Sequence, residues 1–229
     1  MTPLNKGIIL VSTLGALGGA GAYAGGLFNS NTQITDNPKT NIDTGSTIVQ
    51  TNVSDKLRTE GFDVLDTSAT STDWTTVLED YKKATTKTFD GVEKNSVDDK
   101  ALRDKCKVIL GLKDSEDYAK AKMWCVKKQK MNEVLKKAGF KVLGSANEVI
   151  QEEVDIWKQK ISTWKTATSK PFNSALTGKI KDTSADDNEN IRLFRAECEK
   201  LKITALDTTS TEFETNFELA REWCSVKEG

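Results

Sequence analysis

The chain contains two diverged copies of one pattern, and this repetition constrains its fold more than any other feature. Four landmarks recur in the same order, at residues 57–65 and 135–143, 74–87 and 157–170, 102–106 and 194–198, and 124–125 and 223–224. The first pair reads LRTEGFDVL and LKKAGFKVL. The offset grows from 78 (135 − 57) to 99 (223 − 124), so the second copy carries insertions between landmarks and none inside them. Insertions are tolerated in loops, so the landmarks are predicted to be structural elements.

Each copy has the periodicity of amphipathic helices, with apolar residues three or four positions apart. The clearest stripes are Trp74, Val77, Leu78, Tyr81 and Ala84 in one copy, and Ile150, Val154, Trp157, Ile161 and Trp164 in the other. Ser96 with Asp99 has the form of a capping box at a helix start. Only FDVL and FKVL, at residues 62–65 and 140–143, have strand character. The sequence predicts an all-α body of two tandem helical-bundle repeats, residues 48–130 and 131–229.

The N-terminal region predicts export. Residues 7–28, GIILVSTLGALGGAGAYAGGLF, carry no charge, and a helix of this length spans a bilayer core of roughly 30 Å. Ala22-Tyr23-Ala24 also has the form of a signal-peptidase site, so residues 1–28 are either a transmembrane anchor or a cleaved signal. Residues 29–47 are a polar linker. With Lys6 before the segment, we expect a single-pass membrane protein with its bulk extracellular, or a protein secreted after signal cleavage; an interior-facing body is the topological variant.

Four cysteines, two in each copy, are the disulfide candidates: Cys106, Cys125, Cys198 and Cys224. Three pairings exist for four cysteines, and the duplication favours Cys106 with Cys125 and Cys198 with Cys224. Such bonds persist in exported proteins. Zinc ligation and a redox centre are disfavoured because C-x-x-C spacing is missing, and four reduced, buried thiols remain the other interpretation. Trp124 and Trp223 are expected to pack beside the bonds.

The composition excludes several classes of function. The chain has no histidine, which removes the commonest general base and zinc ligand. Its 33 basic and 34 acidic residues are interspersed and leave a net charge of −1, so nucleic acid is not an expected partner. No phosphate-binding or dinucleotide fingerprint occurs in a suitable context, and we predict no catalytic residue, cofactor or metal site. The aromatic residues at helical spacing are predicted to be core rather than a ligand groove.

Acidic residues leave one enzymatic alternative open. Glu152-Glu153 and Asp98-Asp99 lie near predicted helix starts, where they suit the helix dipole. A second group, Asp182, Asp186, Asp187 and Glu189, lacks the alternating ligands of a calcium loop and is expected to be a solvated loop. Residues 181–190 of this region could form a lid. A hydrolase with paired carboxylates, anchored at the membrane, is therefore the alternative function, although a protein without enzymatic activity is the preferred prediction.

The overall layout resembles the paralogous uncharacterised membrane-associated proteins of haemotropic mycoplasmas. The resemblance lies in the Gly/Ala-rich N-terminal segment, the polar tether, and the lysine- and glutamate-rich helical body that ends in a Trp-Cys pair. It implies a membrane-associated or antigenically variable surface protein with no assigned activity, and it carries over no functional residue. We therefore expect a membrane-tethered domain that binds a host or neighbouring surface macromolecule, or presents an antigenic surface.

Overall fold

A computed structural model describes residues 51–144 and 150–228 of the chain. The predicted anchor or signal, residues 1–28, and the polar linker, residues 29–47, lie outside these ranges. Among the described helices, none is both long and apolar enough to cross a membrane.

The first half of the body is built from four helices whose apolar stripes face inward. They are α1 (Val53–Thr59), α2 (Thr72–Lys83), α3 (Asp99–Gly111) and α4 (Tyr118–Trp124). The Asn52 side chain caps α1 by accepting a hydrogen bond from Asp55 N at 2.9 Å. Asp98 caps α3 by accepting from Ala101 N at 2.7 Å. The expected capping box at Ser96 is therefore wrong, because the carboxylate just before the helix fills that role.

The second half of the body contains more elements than the first. It contains α5 (Met131–Lys137), β1 (Phe140–Val142), a 3-10 turn (Gln151–Glu153), α6 (Val154–Thr166), α7 (Asn173–Leu176), a second 3-10 turn (Ser184–Asp186), α8 (Asp187–Lys200), α9 (Phe213–Trp223) and β2 (Ser225–Lys227). The prediction of a mostly helical body is confirmed. The all-α expectation overlooks a small antiparallel sheet, in which Phe140 pairs with Lys227 and Val142 with Ser225.

Equivalent backbone contacts follow the two Trp-Cys pairs. Leu65 N donates to the Cys125 carbonyl at 3.0 Å, and Leu143 N donates to the Cys224 carbonyl at 2.9 Å. Val64 forms an antiparallel bridge with Val126, and the corresponding pair in the second half is Val142 with Ser225. Gly61 and Gly139 both have positive φ. In each half, the segment after this glycine is thus held by the cysteine of a Trp-Cys pair and the residue that follows it.

One continuous hydrophobic core contains residues of both halves. The Phe62 ring lies 6.1 Å from that of Phe213 and 5.5 Å from that of Phe217, which brings the first half against α9. Across the boundary between the halves, Thr208 N donates to the Gln129 carbonyl at 3.0 Å. Edge-on and tilted aromatic contacts require close packing. The two halves therefore share one interior.

Candidate functional site

The four cysteines lie in the two pairs that the duplication favours. Cys106 on α3 and Cys125 after α4 have an S–S distance of 2.05 Å, and Cys198 on α8 and Cys224 after α9 have one of 2.02 Å. All four residues are buried. Each bond therefore joins two helices inside the core, away from reagents in solution.

The tryptophans beside the cysteines are part of the core. Trp124 is 1 % exposed, and its Nε1 donates to the Lys87 carbonyl at 2.7 Å. Its ring meets Tyr81 edge-on, with centroids 5.1 Å apart. Trp223 is 4 % exposed and lies 6.1 Å from Phe194. These rings stabilise the helices that carry the disulfides, and they present no face to a ligand.

The aromatic stripe predicted to be core is buried. Its members, Trp74, Tyr81, Trp157 and Trp164, are all 3 % exposed or less. Trp74 Nε1 donates to the Asp66 carbonyl at 2.8 Å, and the Tyr81 hydroxyl donates to the Val92 carbonyl at 3.0 Å. A sugar or peptide could not stack on these rings without opening the core.

The acidic group before α8 is divided among separate cations. Asp182 pairs with Lys165 at 2.9 Å, Asp187 with Lys158 at 3.0 Å, and Glu189 with Arg192 at 2.6 Å. The hydrogen bond from Arg192 lowers the pKa of Glu189, and one from the Thr183 hydroxyl lowers that of Asp186. Within residues 51–144 and 150–228, no group of acidic or cysteine side chains is arranged to hold a metal ion.

The segment considered as a lid is tied to the body. Lys181 N donates to Asn190 Oδ1 at 3.0 Å, and Asn190 Nδ2 donates back to the Lys181 carbonyl at 2.9 Å. Asn190 itself is 2 % exposed. Because a buried amide closes this loop with two hydrogen bonds, it behaves as part of the scaffold around the start of α8.

Three of the four carboxylates in the predicted pairs, Asp98, Asp99 and Glu153, have structural partners. Asp98 caps α3, and Asp99 pairs with Arg103 at 3.0 Å. Glu153 is 2 % exposed, accepts from Gly144 N at 2.7 Å and pairs with Lys141 at 3.2 Å. None of these four carboxylates lines a described cleft, so neither pair is placed to act as a general acid with its base.

Sequence reasoning missed a buried arginine beside Glu153. Arg195 is 2 % exposed, and its Nε donates to the Gly144 carbonyl at 3.0 Å. Arg195 and Glu153 thus hold the two backbone groups of one glycine just after β1. The signal was available, since Arg195 lies four residues after Ile191 on the apolar stripe of α8.

An ionic contact connects the two halves, and sequence reasoning missed it as well. We call it the charged joint; it consists of Lys122, Glu60 and Glu218. The Lys122 ammonium on α4 lies 2.9 Å from Glu60 after α1 and 3.5 Å from Glu218 on α9. The Tyr118 hydroxyl donates to Glu60 at 3.0 Å. Burial, with Glu60 beside it, raises the pKa of Tyr118 well above its ordinary value. Only 8 % of the Lys122 side chain is exposed, whereas Glu218 is 43 % exposed, so a buried cation meets carboxylates at the edge of the core.

Two aspartates do approach each other at a different place. Thr209 Oγ1 lies 3.0 Å from an Asp80 oxygen and 2.9 Å from an Asp207 oxygen. The Lys128 ammonium lies 2.6 Å from Asp80 and 3.7 Å from Asp207. Asp80 and Thr209 line a depression of about 210 Å³, but Asp207 does not. The two carboxylates therefore share a lysine partner, and only one of them faces the depression.

A larger cleft opens between α1 and α5, and we call it the basic cleft. It has a volume of about 460 Å³ and is lined by Arg58, Gly61, Phe62, Asp63, Val64, Lys127 and Lys137. Its three cations come from different elements, and its one acidic side chain is Asp63. Among the described clefts, this one combines the most room with an excess of positive charge.

Comparison with known proteins finds no matching family model, no similar curated protein and no similar solved structure.

Proposed function

We propose that the chain is a membrane-tethered surface protein whose disulfide-braced body binds a macromolecule outside the cell or presents an antigenic surface, without catalysing a reaction. The observation that carries this proposal is the pairing of all four cysteines in buried positions. Disulfides persist in oxidising compartments and are rare in the cytosol. The uncharged N-terminal segment, residues 7–28, supplies the independent argument for export.

The body is, in this proposal, a tandem duplication of one braced helical unit, with copies at residues 48–130 and 131–229. The matched backbone contacts of Leu65 and Leu143 with their Trp-Cys partners support it. So do the helix ends at Ala84 and Ala167, whose φ and ψ agree within a few degrees at aligned positions. Because the halves share one core, the duplication would have produced one body with two related units.

The resemblance to the membrane-associated proteins of haemotropic mycoplasmas agrees with this proposal. In such a protein, surface segments between fixed landmarks can vary without changing the core. The insertion between α6 and α8 is a segment of this kind. Its residues 171–186 lie between the second and third landmarks, and charged residues of this stretch pair at the surface.

A membrane-anchored hydrolase is the second candidate, and the approach of Asp80 and Asp207 around Thr209 favours it. Two carboxylates that act on one substrate must both face the space that it occupies. Asp207 fails this condition, and the Lys128 ammonium pairs with both side chains. Substrate turnover that is abolished by Asp80→Asn would support the hydrolase over the binding protein.

Protease treatment of intact cells that produce the full-length chain tests the location. We expect the body to be digested while a cytosolic control protein stays whole. Protection of the body until the cells are permeabilised would overturn the proposal. Recovery of the body in the medium, beginning after Ala24, would replace the anchor by a cleaved signal and keep the exported location.

A further inference from the structure

We propose that the basic cleft binds an extended peptide segment rich in acidic side chains, which adds to the open edge at Val64. This inference rests on the proposed function and specifies one partner for the exported body. It commits to a peptide because the cleft offers unpaired backbone groups together with positive charge.

The backbone of Val64 provides the edge. Val64 pairs with Val126 in an antiparallel bridge that is closed by Leu65 N to the Cys125 carbonyl and by Lys127 N to the Asp63 carbonyl. In such a bridge, the amide and carbonyl of the central residue point away from the partner strand. Neither group of Val64 has a hydrogen bond to a described residue. An extended peptide could therefore donate one hydrogen bond and accept another.

The positive charge of the cleft comes from Arg58, Lys127 and Lys137. Their side chains are 59 %, 48 % and 49 % exposed, so all three reach solvent. Each has an exposed acidic partner, respectively Asp55 at 3.7 Å, Asp73 at 2.9 Å and Asp63 in close contact. Exposed pairs of this kind contribute little to stability, so acidic groups of a ligand can replace the partners at little cost.

Lysines near the basic cleft in the sequence add to its positive electrostatic potential. Residues 127–141 contain six lysines and one acidic residue, whereas the whole chain has a net charge of −1. Lys136 on α5 is exposed beside Lys137. Charge complementarity of this type speeds the encounter with a partner of opposite sign and selects against basic peptides.

The test measures retention of peptides by the full-length chain purified in mild detergent. The probe is a pool of blocked hexapeptides with glutamate at alternate positions and the other positions randomised, and a pool with lysine in place of glutamate is its control. We expect retention of the acidic pool, weakened by salt, and none of the basic pool. Equal retention of the two pools, or no retention of the acidic pool, would overturn the inference.

Two variants distinguish the contribution of the positive charge to peptide binding from that of the backbone edge at Val64. Arg58→Gln with Lys127→Gln and Lys137→Gln should weaken binding about tenfold, as expected for the loss of three exposed ion pairs. Val64→Pro removes the unpaired amide without changing charge, and the loss of one hydrogen bond should weaken binding about fivefold. A matched control replaces three exposed lysines outside the cleft, Lys107, Lys113 and Lys179, by glutamine and should bind as the parent does.

Intact disulfides and an unchanged melting temperature establish that each variant folds. If the triple variant binds as tightly as the parent, the cleft is not the site. If sulfated dextran competes with the peptides and Val64→Pro has no effect, the surface is a general polyanion site and the extended-peptide inference is wrong. None of these results alters the outcome of surface proteolysis, so the proposed function is judged separately.

Discussion

Gly61 shows how one residue position permits the two halves to meet. Its φ is +91°, a conformation that glycine adopts without the cost that a Cβ imposes. A Cβ at this position would lie 2.1 Å from the Val134 carbonyl oxygen and 2.8 Å from Ala138 N, both in the backbone of α5 and its end. The close approach of the first half to α5 therefore depends on the missing side chain.

Gly61→Ala should lower the free energy of unfolding by about 2 to 4 kcal/mol, since it adds backbone strain and a clash with α5. Gly91→Ala is the matched control, because Gly91 has a φ of +76° and a methyl group there would meet no described residue beyond its chain neighbours within 4 Å. The free energy of unfolding of this variant should fall by only about 1 kcal/mol, because the methyl group adds backbone strain and no clash. Urea denaturation of both variants measures the difference, and equal losses would mean that the contact with α5 is not tight.

Lys160 is a residue whose charge opposes folding. Its ammonium donates to the Glu222 carbonyl at 2.6 Å, near the end of α9, and no acidic side chain of the described residues forms an ion pair with it. Burial lowers the pKa of Lys160 to about 8, although the negative charge of Glu222 raises it in part. The ordinary value in an unfolded chain is about 10.4.

The stability contribution of Lys160 should therefore rise with pH. Between about pH 8 and pH 10 the unfolded chain binds more protons at this position than the folded one, so the free energy of unfolding increases. Relative to Lys160→Met, the parent should gain about 1 to 3 kcal/mol across this window. Denaturation of both proteins at pH 7 and pH 10 measures the difference in their free energies of unfolding. The effect of tyrosine titration is the same in both proteins and cancels in this difference. Parallel pH profiles would contradict the lowered pKa.

Charged residues in the core mark where sequence reasoning falls short. Lysine and arginine are almost never fully buried unless paired, so Lys122 and Arg195 were not expected inside. Their partners, Glu60 with Glu218 and the Gly144 carbonyl, are distant in sequence. Periodicity records which face of a helix a residue occupies, but it does not record which charge from another element will meet it.

At the scale of elements, the two disulfides link adjacent helices in the same manner. The bond between α3 and the end of α4 closes a separation of 19 residues, and that between α8 and the end of α9 closes one of 26. A cross-link of this size stabilises the fold by about 3 kcal/mol in the loop-entropy account, chiefly by restricting the unfolded chain. The small difference in loop length makes the two bonds nearly equivalent.

Removing either pair, by Cys106→Ala with Cys125→Ala or by Cys198→Ala with Cys224→Ala, should lower the free energy of unfolding by about 3 kcal/mol. Denaturation of each variant measures the loss. A reductant should then add only the effect of the remaining bond. If the variants are as stable as the parent under oxidising conditions, the bonds are absent or do not restrain the chain.

The long helices were predictable from sequence, whereas the small sheet was only half predictable. The apolar stripes of α2, α6 and α8 repeat over several turns, so their position does not depend on distant partners. The strand character of FKVL indicated β1. Ser225–Lys227 forms β2 through its pairing with β1, and a segment of three residues is too short for its alternation to predict such a partner.

At the scale of the whole molecule, the two halves form one body through aromatic and ionic contacts. Phe62 packs on Phe217, and Lys122 pairs with both Glu60 and Glu218. The two cysteine pairs were predicted from the sequence, but the ionic contact at Lys122 and the basic cleft required knowledge of which surfaces meet. The proposed duplication would account for the matched braces, and the shared core would make the two copies fold together.

The proposed function requires that two copies of a disulfide-braced helical unit lie in an oxidising compartment. The most direct test is disulfide mapping of the full-length chain from its native membranes, after rapid alkylation and digestion without reductant. The account predicts two linked peptide pairs, Cys106 with Cys125 and Cys198 with Cys224, and no alkylated cysteine. Recovery of four alkylated cysteines, or of bonds between the two halves, would contradict it.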